Sequence, residues 1–291
     1  MTAIVAVAIL SACASTTAER TATLLDEGSS LGFSAVRYGS APPLVGMLRM
    51  QKPAASDELW VVIEGDGRAW LSMRQPSFDP TPLDAVGWRL AKELTAAPVL
   101  YLARPCQFLS ADELRACSVD DWTDARFAEK WVARTNAAIA EAKRTTGASH
   151  VVLAGYSGGG VTAALVAARR DDVSALLTVA APLDHAAWTR LHGVSPLVAS
   201  LNPVLVKERL FRLPQVHLAG ADDKVVPPSL LQDFLRAYPA DAPAELLILP
   251  GIDHRMRTAI DLAKVRTASL REQSANGRDS GRALPDRSRL K

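Results

Sequence analysis

The run Gly155-Tyr156-Ser157-Gly158-Gly159 matches G-x-S-x-G, the spacing that sets a serine on a tight turn between a strand and a helix. A serine hydroxyl attacks a carbonyl only when a nearby base takes its proton, and that base needs a carboxylate to orient it. When the serine comes first in the chain, the acid and then the histidine follow, each just past a later strand. Two segments supply them. Gly220-Ala221-Asp222-Asp223-Lys224-Val225-Val226-Pro227 follows the apolar run Val216–Ala219, and Pro250-Gly251-Ile252-Asp253-His254 follows Glu245–Leu249. Asp184, after the run Ser174–Val179, competes with Asp222 and Asp223 for the acid. The chemistry these residues point to is acyl transfer through a serine ester. A plainer alternative is a glycine-rich strand–helix turn with an incidental serine. A phosphate cradle fits less well, since the lysine that follows a phosphate-binding loop is absent.

These side chains act together only if the elements around them end at one edge of a sheet. Leu59–Ile63 is a short apolar run closed by Glu64-Gly65-Asp66-Gly67, the pattern of a strand and its turn. Val99–Leu102, Val151–Ala154, Ser174–Val179, Val216–Ala219 and Glu245–Leu249 repeat it. Helical spacing occupies Trp88–Thr95, Thr123–Lys143, Val161–Arg169, Leu230–Tyr238 and Arg255–Leu270, with Gly147 placed to end the second of these. Continuous apolar strands alternating with helices predict an α/β fold, a mostly parallel sheet flanked by helices. The alternation lapses between Pro182 and Pro214, which reads as a small cap or insertion over 182–214.

With serine, acid and histidine in that order at strand ends, the segment from Leu59 to Leu270 resembles the α/β-hydrolase superfamily of serine hydrolases. Members often carry G-x-x-D-x-x-V-P after the penultimate strand, which here selects Asp223 over Asp222. The resemblance therefore implies Ser157 as nucleophile, His254 as general base and Asp223 as its orienting carboxylate. It also implies an oxyanion hole of two backbone N–H groups, from Gly158 and from Asp66 in the loop after the early strand. That loop departs from the family, in which His-Gly is common; Glu64 stands where the histidine would be. A carboxylate at Asp66 would repel an oxyanion, so its side chain is expected to turn toward Arg68 or Arg104. The implied activity is hydrolysis of an ester of a small acyl substrate, in the manner of a carboxylesterase. An acyltransferase or a peptidase runs on the same triad, and a non-catalytic envelope lipoprotein using the fold as a binding scaffold is the reading of a different class. No cofactor and no metal is expected, because neither clustered ligands nor a dinucleotide glycine pattern is present. Trp188, Arg190 and His192 are candidates for shaping specificity.

At the other end of the chain, Thr2–Leu10 is almost wholly apolar and Ser11-Ala12-Cys13 follows, which reads as a signal peptide over 1–12. Leu10-Ser11-Ala12-Cys13 resembles the lipobox of bacterial lipoproteins, in which Cys13 would be lipidated. The absence of Lys or Arg before the apolar run is a departure. The resemblance implies a lipid anchor in the bacterial envelope and, with Ala14 after the cysteine, the outer membrane facing the periplasm. Residues 13–30 are small and polar and are expected to form a tether to a domain spanning 31–270. Setting Cys13 aside leaves Cys106 and Cys117, which export to an oxidising compartment would join as a disulfide; two free thiols are the alternative.

The composition narrows the partners. Apolar residues make up 48% and charged residues 22% of the 291, a globular balance. A net charge of +2 from 33 basic and 31 acidic residues argues against a nucleic-acid groove. Seven basic and three acidic residues lie between Arg266 and Lys291, and 271–291 is expected to be a basic disordered tail. No apolar run approaches the roughly 20 residues that span a bilayer.

Overall fold

The computed structural model describes residues 15–50, 57–72, 74–95 and 97–269. The segment expected as a signal peptide (1–12), Cys13 and the stretch expected as a basic tail (271–291) lie outside the described residues. Helix α1 (Thr17–Ser30) precedes two strands, β1 (Ser34–Tyr38) and β2 (Leu44–Arg49), and then β3 (Glu58–Ile63). A small ribbon of β4 (Trp70–Ser72) and β5 (Gln75–Pro76) leads to α2 (Val86–Lys92) and β6 (Val99–Leu102). Next come α3 (Ala111–Leu114), α4 (Glu129–Thr146), β7 (His150–Tyr156), α5 (Gly158–Ala167) and β8 (Val173–Val179). The chain closes with α6 (His185–His192), β9 (Gln215–Gly220), α7 (Pro228–Leu235) and β10 (Ala244–Leu249), and residues 262–269 are again helical.

Eight strands form one sheet in the order β1-β2-β6-β3-β7-β8-β9-β10. The β1–β2 and β2–β6 pairs are antiparallel, and every pair from β6 to β10 is parallel. The sheet is thus mostly parallel and flanked by helices, as the alternation of apolar runs implies. Its central strands are buried on both faces, which is why they read as unbroken apolar runs. Alternate residues feed two cores. Trp60, Val62, Tyr101, Val152 and Ala154 face one, while Leu59, Val61, Ile63, Leu100 and Leu153 face the other. Fully burying one such side chain stabilises the fold by about 1.5–3 kcal/mol. On α4 the buried residues Trp131, Thr135, Ala138, Ile139 and Ala142 recur at helical spacing, and Gly147 ends the helix at φ 74°.

Three segments differ in detail from the sequence reading. The stretch expected as a tether folds from Thr17 onward as α1 and docks on the domain. Thr16 and Glu19 form a reciprocal capping box, and Leu24 and Gly28 are buried beneath the helix. Glu27 accepts hydrogen bonds from Trp88 Nε1 and Lys92 Nζ, both at 2.7 Å. The helix expected from Thr123 begins only at Glu129, because Val119–Trp122 makes a 3₁₀ turn whose end is fixed by Ser118 and Asp121. The last helix starts at 262 rather than 255. Residues 182–214, expected as a small cap or insertion, hold α6 and two 3₁₀ turns and are tied to the preceding segment by Leu201 N to Phe127 O at 3.1 Å.

Because β3, β7, β9 and β10 run in one direction, the loops that follow them gather at one edge of the sheet. That edge is where ligands sit in open α/β sheets.

Candidate active site

Ser157 occupies the single residue between β7 and α5, at φ 48° and ψ −121°. This conformation costs a non-glycine residue of order 1–3 kcal/mol and persists only where the surroundings enforce it. Here Ser157 N donates to Val179 O at 2.8 Å, and Gly160 N donates to Ser157 O at 2.9 Å. The glycines on either side are demanded by close packing. A Cβ at Gly155 would stand 2.3 Å from Gly159 O, and one at Gly159 would stand 2.2 Å from Ile63 O.

Asp223 lies in the loop after β9 with its carboxylate fully buried. One oxygen accepts Val225 N and Val226 N at 2.8 and 2.7 Å, and the other lies 2.8 Å from His254 Nδ1. A carboxylate oxygen only accepts, so at this contact the proton sits on Nδ1 and Nε2 is the nitrogen left to act as a base. His254 follows β10, and its carbonyl accepts a hydrogen bond from the Tyr156 hydroxyl at 2.8 Å. Asp184, the rival acid, is committed elsewhere: it caps α6 through Ala186 N and Ala187 N and takes Asn202 Nδ2 at 3.1 Å. Ser157 and His254 line the same cavity of about 440 Å³.

The loop after β3 lies across the elbow. Glu64 is buried and uses both oxygens as acceptors, from Gly65 N, Gly87 N, Trp88 N and the Tyr101 hydroxyl at 2.8–3.2 Å. Burial pushes its carboxyl up, and the four donors oppose that shift. Gly65 N is thereby occupied, while Asp66 N makes no hydrogen bond among the described residues. Gly158 N, in the first turn of α5, likewise has no helical partner. The Asp66 side chain turns to Arg104 Nη1 at 2.9 Å and Arg126 Nη1 at 2.8 Å, and not to Arg68. Burial raises the Asp66 carboxyl, but Arg126 and Arg104 outweigh it and hold the group below its ordinary value.

Known folds place this arrangement. No family model matches the chain, and no curated protein matches it. Solved structures do. An α/β serine hydrolase homologue from Coxiella burnetii aligns over 82% of this chain and 96% of its own, with 16% identity and a TM-score of 0.51. An α/β serine hydrolase without a lid from Xanthomonas campestris aligns over 87% and 97%, at 16% identity and a TM-score of 0.50. Est1E from Butyrivibrio proteoclasticus, with ferulic acid bound, aligns over 80% and 96%, at 18% identity and a TM-score of 0.55.

The chain has the α/β-hydrolase fold.

Within the hydrolase fold, the residues singled out in the sequence fall as follows. Ser157, His254 and Asp66 line the cavity, Asp223 sits behind His254, and Gly158 begins α5 at the elbow. Trp188 lines the cavity and is fixed by Nε1 to Val225 O at 2.7 Å, whereas Arg190 and His192 do not reach it. Trp70, which the sequence suggests as a core or interface residue, lines it as well, and Arg126 lines it with no mark in the sequence. Arg126 lies 60 residues from Asp66, so spacing carries no signal of their contact. Cys106 and Cys117 form a disulfide beside this region, with a Cα–Cα distance of 6.2 Å. Among the described residues, the one cluster with metal-ligand types is Cys106, Cys117 and Asp121. Its thiols are consumed by the disulfide, so it suits no metal. No helix among the described residues is long and apolar enough to cross a membrane.

Proposed function

We propose that this chain is a serine hydrolase that cleaves a carboxylic ester through an acyl-enzyme at Ser157. The observation that carries the reading is the hydrogen bond from His254 Nδ1 to the buried Asp223 carboxylate, with His254 and the strained Ser157 on one cavity. In this reading the Ser157 hydroxyl adds to the ester carbonyl while its proton passes to His254 Nε2. The charge developing on the carbonyl oxygen meets Asp66 N–H and Gly158 N–H, a pair of donors of the kind worth about 10²–10³ in rate each. The bond to the alcohol then breaks, and the alcohol leaves with the proton from His254. Water, deprotonated by the same nitrogen, adds to the acyl group, releases the acid and restores Ser157. The clamp on the Asp66 side chain is what makes its backbone N–H usable here, since the carboxylate is held against Arg104 and Arg126.

Rapid mixing with a p-nitrophenyl ester is expected to give a burst of one p-nitrophenol per active site. Acid-quenched protein should then carry the acyl mass on the peptide containing Ser157. Steady turnover with no trapped adduct would contradict the acyl-enzyme.

Localisation is part of the same proposal. The lipobox-like Leu10–Cys13 supports an envelope lipoprotein anchored at Cys13 in the outer membrane, and the Cys106–Cys117 disulfide suits an oxidising compartment. Labelled fatty acid should enter the protein in cells and should be lost in Cys13→Ser; label that survives the substitution would exclude this anchor.

A further inference from the structure

We propose that Arg126 binds a carboxylate of the substrate, so that the ester this site prefers carries one negative charge; the inference rests on the serine-hydrolase reading and narrows its substrate class. Asp66 is fully engaged, with Oδ1 on Arg104 Nη1 and Oδ2 on Arg126 Nη1. Two guanidinium groups therefore share one carboxylate. Their side chains are only 5% and 8% exposed, and an unbalanced charge at such a depth is costly. The other acids on the cavity wall among the described residues are Glu64, which acts on Arg104 only through its charge and not by a hydrogen bond, and Asp84. Glu64 is occupied by its four donors, and Asp84 pairs with Arg89 at 3.0 Å.

The geometry leaves Arg126 one hand free. Its Nε donates to Thr123 O at 2.6 Å and its Nη1 to Asp66, so the planar group is locked. Its carbonyl is held in turn by Arg104 Nη2 at 2.6 Å. Nη2 of Arg126 makes no hydrogen bond among the described residues, and the residue lines the cavity that holds Ser157 and His254. A fixed guanidinium with an open N–H pair is a receptor for an oxyanion. A single open guanidinium edge, with the Asp66 and Glu64 carboxyl groups close by, matches a singly charged carboxylate better than a doubly charged phosphate. Arg68 lines the same cavity but is exposed, and it adds a field that draws anions inward.

The test uses two matched ester pairs, so that either side of the scissile bond is covered. On the acyl side these are p-nitrophenyl hydrogen succinate and p-nitrophenyl butyrate; on the alcohol side, 4-acetoxybenzoate and phenyl acetate. After correction for reactivity toward hydroxide, the parent is expected to favour the anionic member of one pair. A charged hydrogen bond corresponds to roughly 10- to 100-fold in kcat/KM. Arg126→Gln should erase that preference, and Arg126→Lys should restore part of it while raising its salt sensitivity. Neutral preference in both pairs, or equal loss on both members in Arg126→Gln, would overturn the assignment. Binding gives a readout that needs no turnover. Ser157→Ala should bind monomethyl succinate more tightly than dimethyl succinate by calorimetry, and that difference should vanish with Arg126→Gln added. Absence of hydrolysis with binding selectivity intact would strike the catalytic reading alone; hydrolysis without selectivity would strike this one.

Discussion

The Tyr156 hydroxyl donates to the carbonyl oxygen of His254 at 2.8 Å, so the residue just before Ser157 holds the loop that carries the histidine. Their rings also lie 5.4 Å apart between centroids. Strand β7 and the loop after β10 are thereby coupled directly at the cavity, although β8 and β9 stand between β7 and β10 both in the chain and in the sheet.

Removing that hydroxyl tests the coupling. Tyr156→Phe keeps the ring packing and loses one partly buried hydrogen bond, for which a net cost of about 1 kcal/mol is expected. Ester turnover should fall by up to roughly tenfold if His254 loosens by a comparable energy. Urea unfolding and kcat/KM measured side by side check both. Lower stability with unchanged turnover would make the contact structural only.

Asp66 is expected to matter to the fold through its side chain. Asp66→Ala leaves Arg104 and Arg126 buried without their shared counter-charge, and breaking a buried ion pair in this way costs about 3–5 kcal/mol. Asp66→Asn keeps acceptor geometry on one side and should cost less. Denaturant midpoints of the two variants decide the matter, and an Asp66→Ala variant as stable as the parent would contradict the clamp.

The elbow tolerates no methyl group at Gly159, where a Cβ would stand 2.2 Å from Ile63 O and 2.4 Å from Glu64 O. Both contacts are backbone, so relief requires β3 and α5 to separate. Gly159→Ala is expected to cost about 3 kcal/mol or more, read as loss of soluble protein or of its cooperative thermal transition. At Gly147, where a Cβ meets nothing within 4 Å but φ is 74°, alanine should cost only about 1 kcal/mol.

His217 gives the fold a defined acid sensitivity. It is fully buried in β9 with Nδ1 2.8 Å from Thr178 Oγ1, and burial lowers its pKa from 6.5 to about 4. Between those values the unfolded chain takes up a proton that the folded chain refuses. Stability is therefore intact above the unfolded pKa and falls as pH drops toward the folded one. The loss amounts to about 3 kcal/mol when complete. Urea unfolding across pH 7 to 4 measures it against His217→Asn, which has no proton to gain. An unchanged slope in the variant would assign the effect to other groups.

How far the sequence reaches can be judged from these same residues. Ser157 was legible because the elbow's packing admits only glycine at 155 and 159, which writes the constraint into adjacent positions. Asp223 is legible only through the resemblance to G-x-x-D-x-x-V-P, because the Val225 and Val226 amides that hold its carboxylate are backbone groups and constrain no residue type. Asp184 could be set aside only in three dimensions, where it caps α6. The pairing of Asp66 with Arg126 was invisible, since contact across 60 residues leaves no periodic trace. Helix α1 hid behind small polar residues, yet its Thr16-x-x-Glu19 capping box was a local signal that could have found it. Strand β1 leaves no apolar run because most of its residues are exposed or half-buried, whereas β2 is paired on both sides and buried from Leu44 to Leu48, an apolar run the sequence does carry.

The central claim is that Ser157 is an activated nucleophile, and reaction with a fluorophosphonate probe tests it most directly. The parent protein should be labelled once, on Ser157. Ser157→Ala should take no label, and His254→Ala should react slower by about 10³-fold or more. A folded parent that takes no label, or a Ser157→Ala variant that labels as the parent does, would contradict the account.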